Sequence, residues 1–481
     1  MNDFVVSIML LGALSSGGSL PFWAVSNQGG LMPESSGAAG IIRAAKPFAE
    51  SGDFRWKAGA SLAFAAPYSG GDYGIVPDEL YAGMRWKSIG ADLGMVRREA
   101  EYMGSDPSLG SLSVTEGHIV ESNNARAMPG YRLLLDRWAI PFTGGRLQLS
   151  GSWGDYKTLD ERYMNGALVH RLSGYLRYDG GKHFYAQLGI DHYAQWGGTG
   201  IDGVSMDVNW DNYFRVATGR PASEGGTLSD RMNVIGCHGG AEQLRMGWRE
   251  SAFAVHFQYE KPYADKSGMR FNNIPDGVYT LDFSLADKDS WVSDALVEFH
   301  YTMWQSGTIH DKETDEDGNQ LSWFEDHTLN VFGGDDYFNN SRYKSGWTHF
   351  GRSICAPLFF AAPYGEYPGI VSNRYKALHF GLSGKLFRKA PYRLMLTASE
   401  NYGTYRRPFI SPSTWDTGWN WWEPNTIDKG LKQFSAALNG YVPFRFGKRV
   451  SLDLLYGLYA DAGRLLEDNF GLIAGVRINI E

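Results

Sequence analysis

Over residues 431–481 the side chains alternate between apolar and polar with a period of two, three times in succession. In the middle run Val450, Leu452, Leu454, Tyr456 and Leu458 take one parity, and Ser451, Asp453, Gly457 and Asp461 the other. The last run sets Phe470, Leu472, Ala474, Val476, Ile478 and Ile480 against Asn469, Gly471, Gly475, Arg477, Asn479 and Glu481. Before them Phe434, Ala436, Leu438 and Val442 alternate with Gln433, Ser435, Asn439 and Tyr441. Successive side chains of a strand point to opposite faces, so this stretch reads as three strands joined by two short turns. One face is apolar throughout. The other is mostly polar or small, with Leu455, Tyr459 and Ile473 as exceptions. Such an apolar face needs a cover: a second sheet in a soluble sandwich, or lipid around a barrel whose polar parity lines the lumen.

The rest of the chain favours the barrel. Its 481 residues hold 14% aromatics and 60 glycines, with a mean hydropathy of −0.32. No apolar run reaches the roughly 18 residues that a spanning helix needs, and the chain is too aromatic for disorder. Alternating strands with aromatic girdles produce this mixture. The net charge of −8 argues against a general nucleic-acid binder. The two cysteines, Cys237 and Cys355, belong to no CxxC or Cys/His cluster, so a zinc site is not expected, and their pairing is a question of geometry.

Residues 5–14 are apolar enough for a signal-peptide core, but no Lys or Arg precedes them; they read better as a first strand, with the signal lying outside this numbering. Residues 41–46 read as a short strand, and Trp56, Ala58, Ala60, Leu62 and Phe64 alternate in the next. A tight hairpin turns at Ser88-Ile89-Gly90. Hairpins resume around Leu147, Leu168 and Phe184, then over residues 241–262, 289–304, 375–387 and 392–401. Counting candidates gives about 18 strands, within the even-numbered range of bacterial barrels. Residues 101–129 are aperiodic and read as a loop or inward fold. Residues 197–231 form a long polar insertion, and residues 405–425 a Trp-dense loop; both suit the outer rim of a barrel. The expected architecture is a single all-β domain over 1–481: a transmembrane antiparallel barrel in the bacterial outer membrane, its lumen partly filled by inward-folded loops.

On the lumen parity the chain collects Arg55, Lys57, Arg85, Lys87, Arg171, Arg177, Lys385, Arg393 and Arg477, with Asp92, Asp191 and Asp453 among them. Two readings stand: an electropositive interior that draws in an anionic ligand, or a salt-bridged wall that hydrates the lumen. The aromatic loops are the second signal. Trp196, Trp347 and Trp415, Trp419 and Trp421 could each stack on a pyranose ring beside Asn and Asp hydrogen-bonding partners, or belong to an interface belt or loop packing.

Signals for chemistry are poor. His379 and Ser383 share a parity, but four residues along a strand is about 13 Å, beyond hydrogen-bond reach. The acidic stretch 310–318 resembles a calcium loop only in part, because Phe324 stands where the bidentate Glu belongs. No cofactor, metal site or catalytic triad is expected, and an enzyme ranks last.

Several stretches do carry a family likeness. Gly18-x-Leu20-Pro21-Phe22-Trp23 with Asn27-Gln28-x-Gly30 is one; Asn123-Asn124-Ala125-Arg126-Ala127-Met128-Pro129 and Gln195-Trp196-Gly197-Gly198 are others. Gly333-Gly334-Asp335-Asp336-Tyr337-Phe338-Asn339-Asn340 is the most specific, continuing to Ser345-Gly346-Trp347 and Gly351-Arg352; His379 to Gly384 and Asn401-Tyr402-Gly403 follow. Together they resemble the capsule-assembly Wzi-type outer-membrane proteins of Bacteroidetes-like bacteria, close to full length. The resemblance implies an 18-stranded barrel that attaches capsular or other surface polysaccharide as a lectin, not as an enzyme. Carried over, it nominates Arg126, Asp335, Asp336, Tyr337, Asn339, Asn340 and Trp347 for sugar contact or for folding a loop into the lumen. The N-terminal helical bundle of enterobacterial members has no counterpart in this sequence. The expected partners are surface polysaccharide, outer-membrane lipid and other outer-membrane proteins, and no nucleic acid. The rivals are a passive porin and a structural subunit of a larger outer-membrane machine.

Overall fold

Alternation along each strand becomes a closed wall. The computed structural model describes residues 4–68, 74–221, 234–264, 266–269, 271–306, 335–364, 367–404, 430–447 and 449–480. Trp415, Trp419 and Trp421, the acidic stretch 310–318, and Gly333 and Gly334 lie outside them. Eighteen antiparallel strands form one sheet: β1 (Val5–Ser15), β2 (Gly37–Lys46), β3 (Phe54–Pro67), β4 (Gly74–Trp86), β5 (Ile89–Met95), β6 (Pro129–Ala139), β7 (Leu147–Lys157), β8 (Leu168–Asp179), β9 (Phe184–Trp196), β10 (Cys237–Arg249), β11 (Phe253–Tyr263), β12 (Gly277–Leu285), β13 (Asp294–Tyr301), β14 (Tyr375–Leu386), β15 (Ala390–Asn401), β16 (Leu431–Phe446), β17 (Val450–Gly463) and β18 (Asn469–Ile480). Each pairs with its neighbour in sequence. β1 closes the ring on β18, in register from Val6 opposite Ile480 to Ser15 opposite Gly471. Closure leaves no strand edge unpaired, as a wall inside hydrocarbon requires.

Faces follow parity. On β17, Leu454 is 42% exposed while its neighbour Asp453 is 4% exposed. The outward set continues around the wall as Leu10, Leu62, Leu133, Leu188, Leu281 and Leu438. No helix among the described residues is long and apolar enough to cross a membrane; the strands cross it. Connections 47–53, 87–88, 140–146, 180–183, 250–252, 286–293, 387–389 and 447–449 are short and share one end. At the other end lie 16–36 and 96–128 together with the ends of β9, β13 and β15, after which the chain runs longest before its next strand, which marks it as the outer face of a bacterial outer-membrane barrel. Small residues let aromatic side chains lie flat inside: a Cβ on Gly247 would fall 2.2 Å from the Tyr185 ring.

The strand reading of residues 5–14 holds, as β1. Residues 41–46 are the inner part of a longer β2, and residues 241–262 split into the β10–β11 hairpin. Two strands escaped the sequence reading. In β6 the run Leu133-Leu134-Leu135 hides the alternation, and a register shift between Leu135 and Trp138 breaks it further. In β12 the pattern Tyr279, Leu281, Phe283 is regular but short.

The lumen is filled. Leu20 to Ala24, with the short helix α1 (Phe22–Val25), pack into one core with Val114, Ile119, Val120, Met128, Tyr337, Trp347, Leu358 and Phe359. The wall supplies Tyr193, Tyr375, Ala377, Met395, Ala437, Tyr459 and Ile473 to that core. Tyr459 and Ile473 were exceptions on the polar parity of the C-terminal strands; the plug explains them. From β1 the chain crosses the inside of β18, so that the Phe22 amide donates to Asp461 on β17 (2.7 Å) and the Trp23 indole to Thr397 on β15 (3.1 Å).

Candidate functional site

Within the described residues, the stretches that carried the family likeness take part in locking the plug. Gln195 on β9 points inward and donates to the Gly346 carbonyl (3.0 Å). Asn124 donates to the Ser353 carbonyl (3.1 Å), and the Trp347 indole to the Val120 carbonyl (2.9 Å). His379 bonds to the Leu112 carbonyl (2.8 Å) and to Thr397 (2.8 Å). Ser383, its former companion, accepts from the Ser105 amide instead (2.8 Å).

The Asp335–Asn340 segment is tied down residue by residue. Asp335 accepts from Ser306 (2.7 Å) and Asp336 from Asn373 (2.6 Å). The Tyr337 hydroxyl donates to Asp276 (2.9 Å) and accepts from Asn273 (2.8 Å). Burial pushes the Asp276 carboxyl up to about 6, although two backbone amides and Tyr337 donate to it. Asn339 reaches the Ile370 carbonyl (2.9 Å), and the Asn340 side chain accepts from the Arg342 amide (2.8 Å) in a local turn. Tyr337 is 1% exposed and Trp347 3%, so neither presents a ring face to a sugar in this arrangement.

Beneath these contacts the plug meets the wall through buried charge. Glu298 on β13 accepts from Ser113 (2.5 Å), the Val114 amide (2.9 Å) and Thr280 (3.2 Å). Glu260 on β11 accepts from the Ile119 amide (3.1 Å). His118 lies 3.5 Å from Glu101 and 3.6 Å from Asp191; burial and Arg98 oppose its charge, but the two carboxylates raise its pKa above the ordinary range. Glu298→Ala is expected to strand the Val114 and Ser113 donors in a dry interior, costing about 3 kcal/mol. Faster hydrogen exchange confined to residues 111–121 checks this; unchanged exchange there would show that the carboxylate is dispensable.

The cations predicted for the lumen are mostly paired. Arg85 bonds Asp92 (2.9 Å), Arg477 bonds Asp453 (2.8 Å), Lys385 bonds Asp289 (2.7 Å), and Lys57 lies 3.7 Å from Glu99. Arg171 is paired with Glu121 and lies over the rings of Tyr156 and Tyr193. Arg177 sits 3.6 Å from the Tyr185 ring centre, Arg55 faces the Phe48 ring, and Arg393 donates to the Ser111 carbonyl (2.7 Å). Lys87 does not line the lumen: it occupies the tight turn after β4 with a φ of 53°, its ammonium against the outward ring of Trp86. The salt-bridged wall is therefore the reading that fits. A polar cavity persists along β6–β9, lined by Arg98, Arg132, Tyr156, Arg171, Asp191 and Tyr193. Arg132 is paired with Asp92 and Arg98 with Glu121, which offsets much of its charge.

One predicted residue is different. Arg126 lies at the outer face, its guanidinium 4.3 Å from the centre of the Phe350 ring, which is 41% exposed. Among the described residues it has no ion-pair partner, and its Nε is buried without an acceptor. Burial and the neighbouring guanidinium of Arg352 lower its pKa, and the Asp78 carboxylate offsets only part of that, so an added anion would relieve the arrangement. Arg352 is held by Glu34 (2.7 Å), and Arg97, held by Asp78 (2.7 Å), packs against Gly29. The sequence reading missed Phe350 and Arg97; the Arg97-Arg98 doublet directly after a strand was the available signal. Trp196 stands elsewhere, on the outward parity of β9, 4% exposed beneath Tyr213 and packed with Val216 and Ile235. Both cysteines are buried and unpaired.

An 18-stranded wall, long connections at one end and an apolar belt define a bacterial outer-membrane β-barrel, here with a plugged lumen. It resembles Wzi, an outer-membrane protein involved in group 1 capsule assembly in Escherichia coli and described as a carbohydrate-binding β-barrel, at 12% identity over 99% of this chain and 84% of that one, with a TM-score of 0.53. OprD from Pseudomonas aeruginosa follows at 9% identity over 100% and 94%, with a TM-score of 0.44, and OccAB2 from Acinetobacter baumannii at 8% over 100% and 98%, also 0.44. At these identities the likeness concerns the fold alone. No family model matches the chain, and no curated protein does.

Proposed function

We propose that this barrel binds an acidic surface or capsular polysaccharide at its outer face and anchors it to the cell, as a lectin without catalysis. The observation that carries the reading is Arg126: a cation with no ion-pair partner among the described residues, stacked on an exposed aromatic ring, at the end where the long connections emerge. Phe350 offers a face to sugar C–H groups, and Arg126 with Arg352 offers charge to a uronate or other acidic substituent. The carbohydrate binding stated for Wzi, whose fold this chain resembles, supports the same reading. Arg126→Ala is expected to weaken binding of an acidic polysaccharide by about ten- to a hundredfold, the worth of a charge-assisted hydrogen bond, and to leave a neutral glycan unaffected. In cells, polysaccharide made but shed into the medium is the expected phenotype of the deletion strain. Unchanged retention in that strain sinks the anchoring role.

A second reading, a diffusion pore, is favoured by the polar cavity along β6–β9. A steady conductance from the wild-type protein in a planar bilayer would establish it.

A further inference from the structure

Near the outer ends of β6–β10 the outward parity of the wall turns polar. Tyr131, Asp155, His170, Ala194 and His238 stand opposite one another across β6–β10, forming a single row. This row shares its parity with Leu133, Leu149, Leu172, Leu188 and Leu244, which belong to the lipid-facing set. Tyr131 donates to Asp155 (2.5 Å), His170 bonds Asp155 (2.9 Å), and His238 bonds His192 (2.8 Å). An acyl chain can neither donate nor accept a hydrogen bond, so bare lipid over this row would be costly.

A second helix, α2 (Trp210–Ala217), covers it instead. Asn209 caps the helix by accepting from the Asn212 amide (2.8 Å). Tyr213 donates to Asp155 (2.8 Å), accepts from the Trp153 indole (2.9 Å), and sets its ring edge-on to His170 at 5.7 Å. Asn212, Val216 and Ala217 are buried on the wall side. The other face presents Trp210, 77% exposed, and Phe214, 57% exposed, with their rings stacked 6.3 Å apart. Val208 just before the helix is exposed too. The charged pair on the helix, Asp211 and Arg215, is satisfied internally at 2.7 Å.

We infer that α2 is an interfacial helix seated in the outer leaflet: its inner face takes the place of lipid over the polar row, and Trp210 and Phe214 enter the boundary between headgroups and acyl chains. Continuity with the apolar belt of the wall argues for lipid as the occupant. So does the Trp and Phe content of the exposed face, since these side chains favour that depth. The same two rings in open water would be a sugar platform, and the experiment separates the two.

Nitroxide labels at Trp210→Cys and, separately, at Phe214→Cys are placed in protein reconstituted into bilayers. Cys237 and Cys355 are 5% and 0% exposed, and wild-type protein supplies the labelling blank. Power saturation should give an oxygen-to-nickel-chelate accessibility ratio several-fold above that of an aqueous control at Glu34→Cys and close to that of Leu188→Cys. A ratio at either site equal to the Glu34 control, in protein that retains its folded mobility on gels, overturns the inference. So does a label shielded from both reagents, which would mean a protein partner on this face.

Discussion

Replacing residues 97–127 by a tight turn of about three residues is expected to convert a silent protein into one that gives stable conductance steps in planar bilayers. The splice is geometrically mild, because Met95 and Pro129 already stand opposite each other at the ends of β5 and β6. What it removes is an inward segment that holds Val114, Ile119 and Val120 of the lumen core and the donors that Glu298 and Glu260 receive. Eighteen strands without a plug enclose an aqueous channel. Wild-type protein should keep a flat baseline. If the variant inserts, migrates as a folded barrel and stays silent, the segments 16–36 and 335–374 suffice to seal the lumen, and the pore reading loses its remaining support.

The second large effect is expected from Trp347→Ala. This side chain is 3% exposed, sits edge-on to Tyr193 at 5.5 Å and donates to the Val120 carbonyl. Its truncation leaves a cavity and an unpaired carbonyl, a loss of about 3–5 kcal/mol. The ladder hydrogen bonds of the wall do not pass through Trp347, so the loss should fall on the plug. Limited proteolysis is expected to open residues 335–359 and 112–128 while the β-sheet signal in circular dichroism is retained. Trp347→Phe, which keeps much of the ring and loses the donor, should fall between. Collapse of the sheet signal in Trp347→Ala would mean that wall and plug unfold as one unit.

The wall was legible in the sequence because lipid and lumen impose opposite demands on alternate side chains, and Leu454 beside Asp453 shows both at once. Even the failures of alternation at Tyr459 and Ile473 were informative, since they mark where the plug presses on the wall. The site was less legible. A tryptophan that stacks on sugar and one that fills a core have the same sequence neighbours, so Trp347 and Tyr337 could be nominated but not assigned. Trp196 faces away from the lumen because it follows Gln195, and only the partner of Gln195 reveals which of the two points inward. Lys87 was misplaced because parity ends where a turn with positive φ begins. Helix α2 carries a capping Asn209 and apolar residues at helical spacing, but eight residues inside a long polar insertion are too few for periodicity to stand out.

A barrel built strand by strand has one joint that differs from all the others, where its first and last strands meet. Here the chain leaving β1 does not stay beside that joint. It runs across the inner surface of β18 and is pinned at Asp461 and Thr397, two and more strands further on. The joint is thereby riveted from within by a strap that belongs to the first strand and holds the last ones. A load that would peel β1 from β18 must also extract Phe22 and Trp23 from their sockets, so sideways opening at this joint is opposed by side-chain packing as well as by the ladder of main-chain hydrogen bonds.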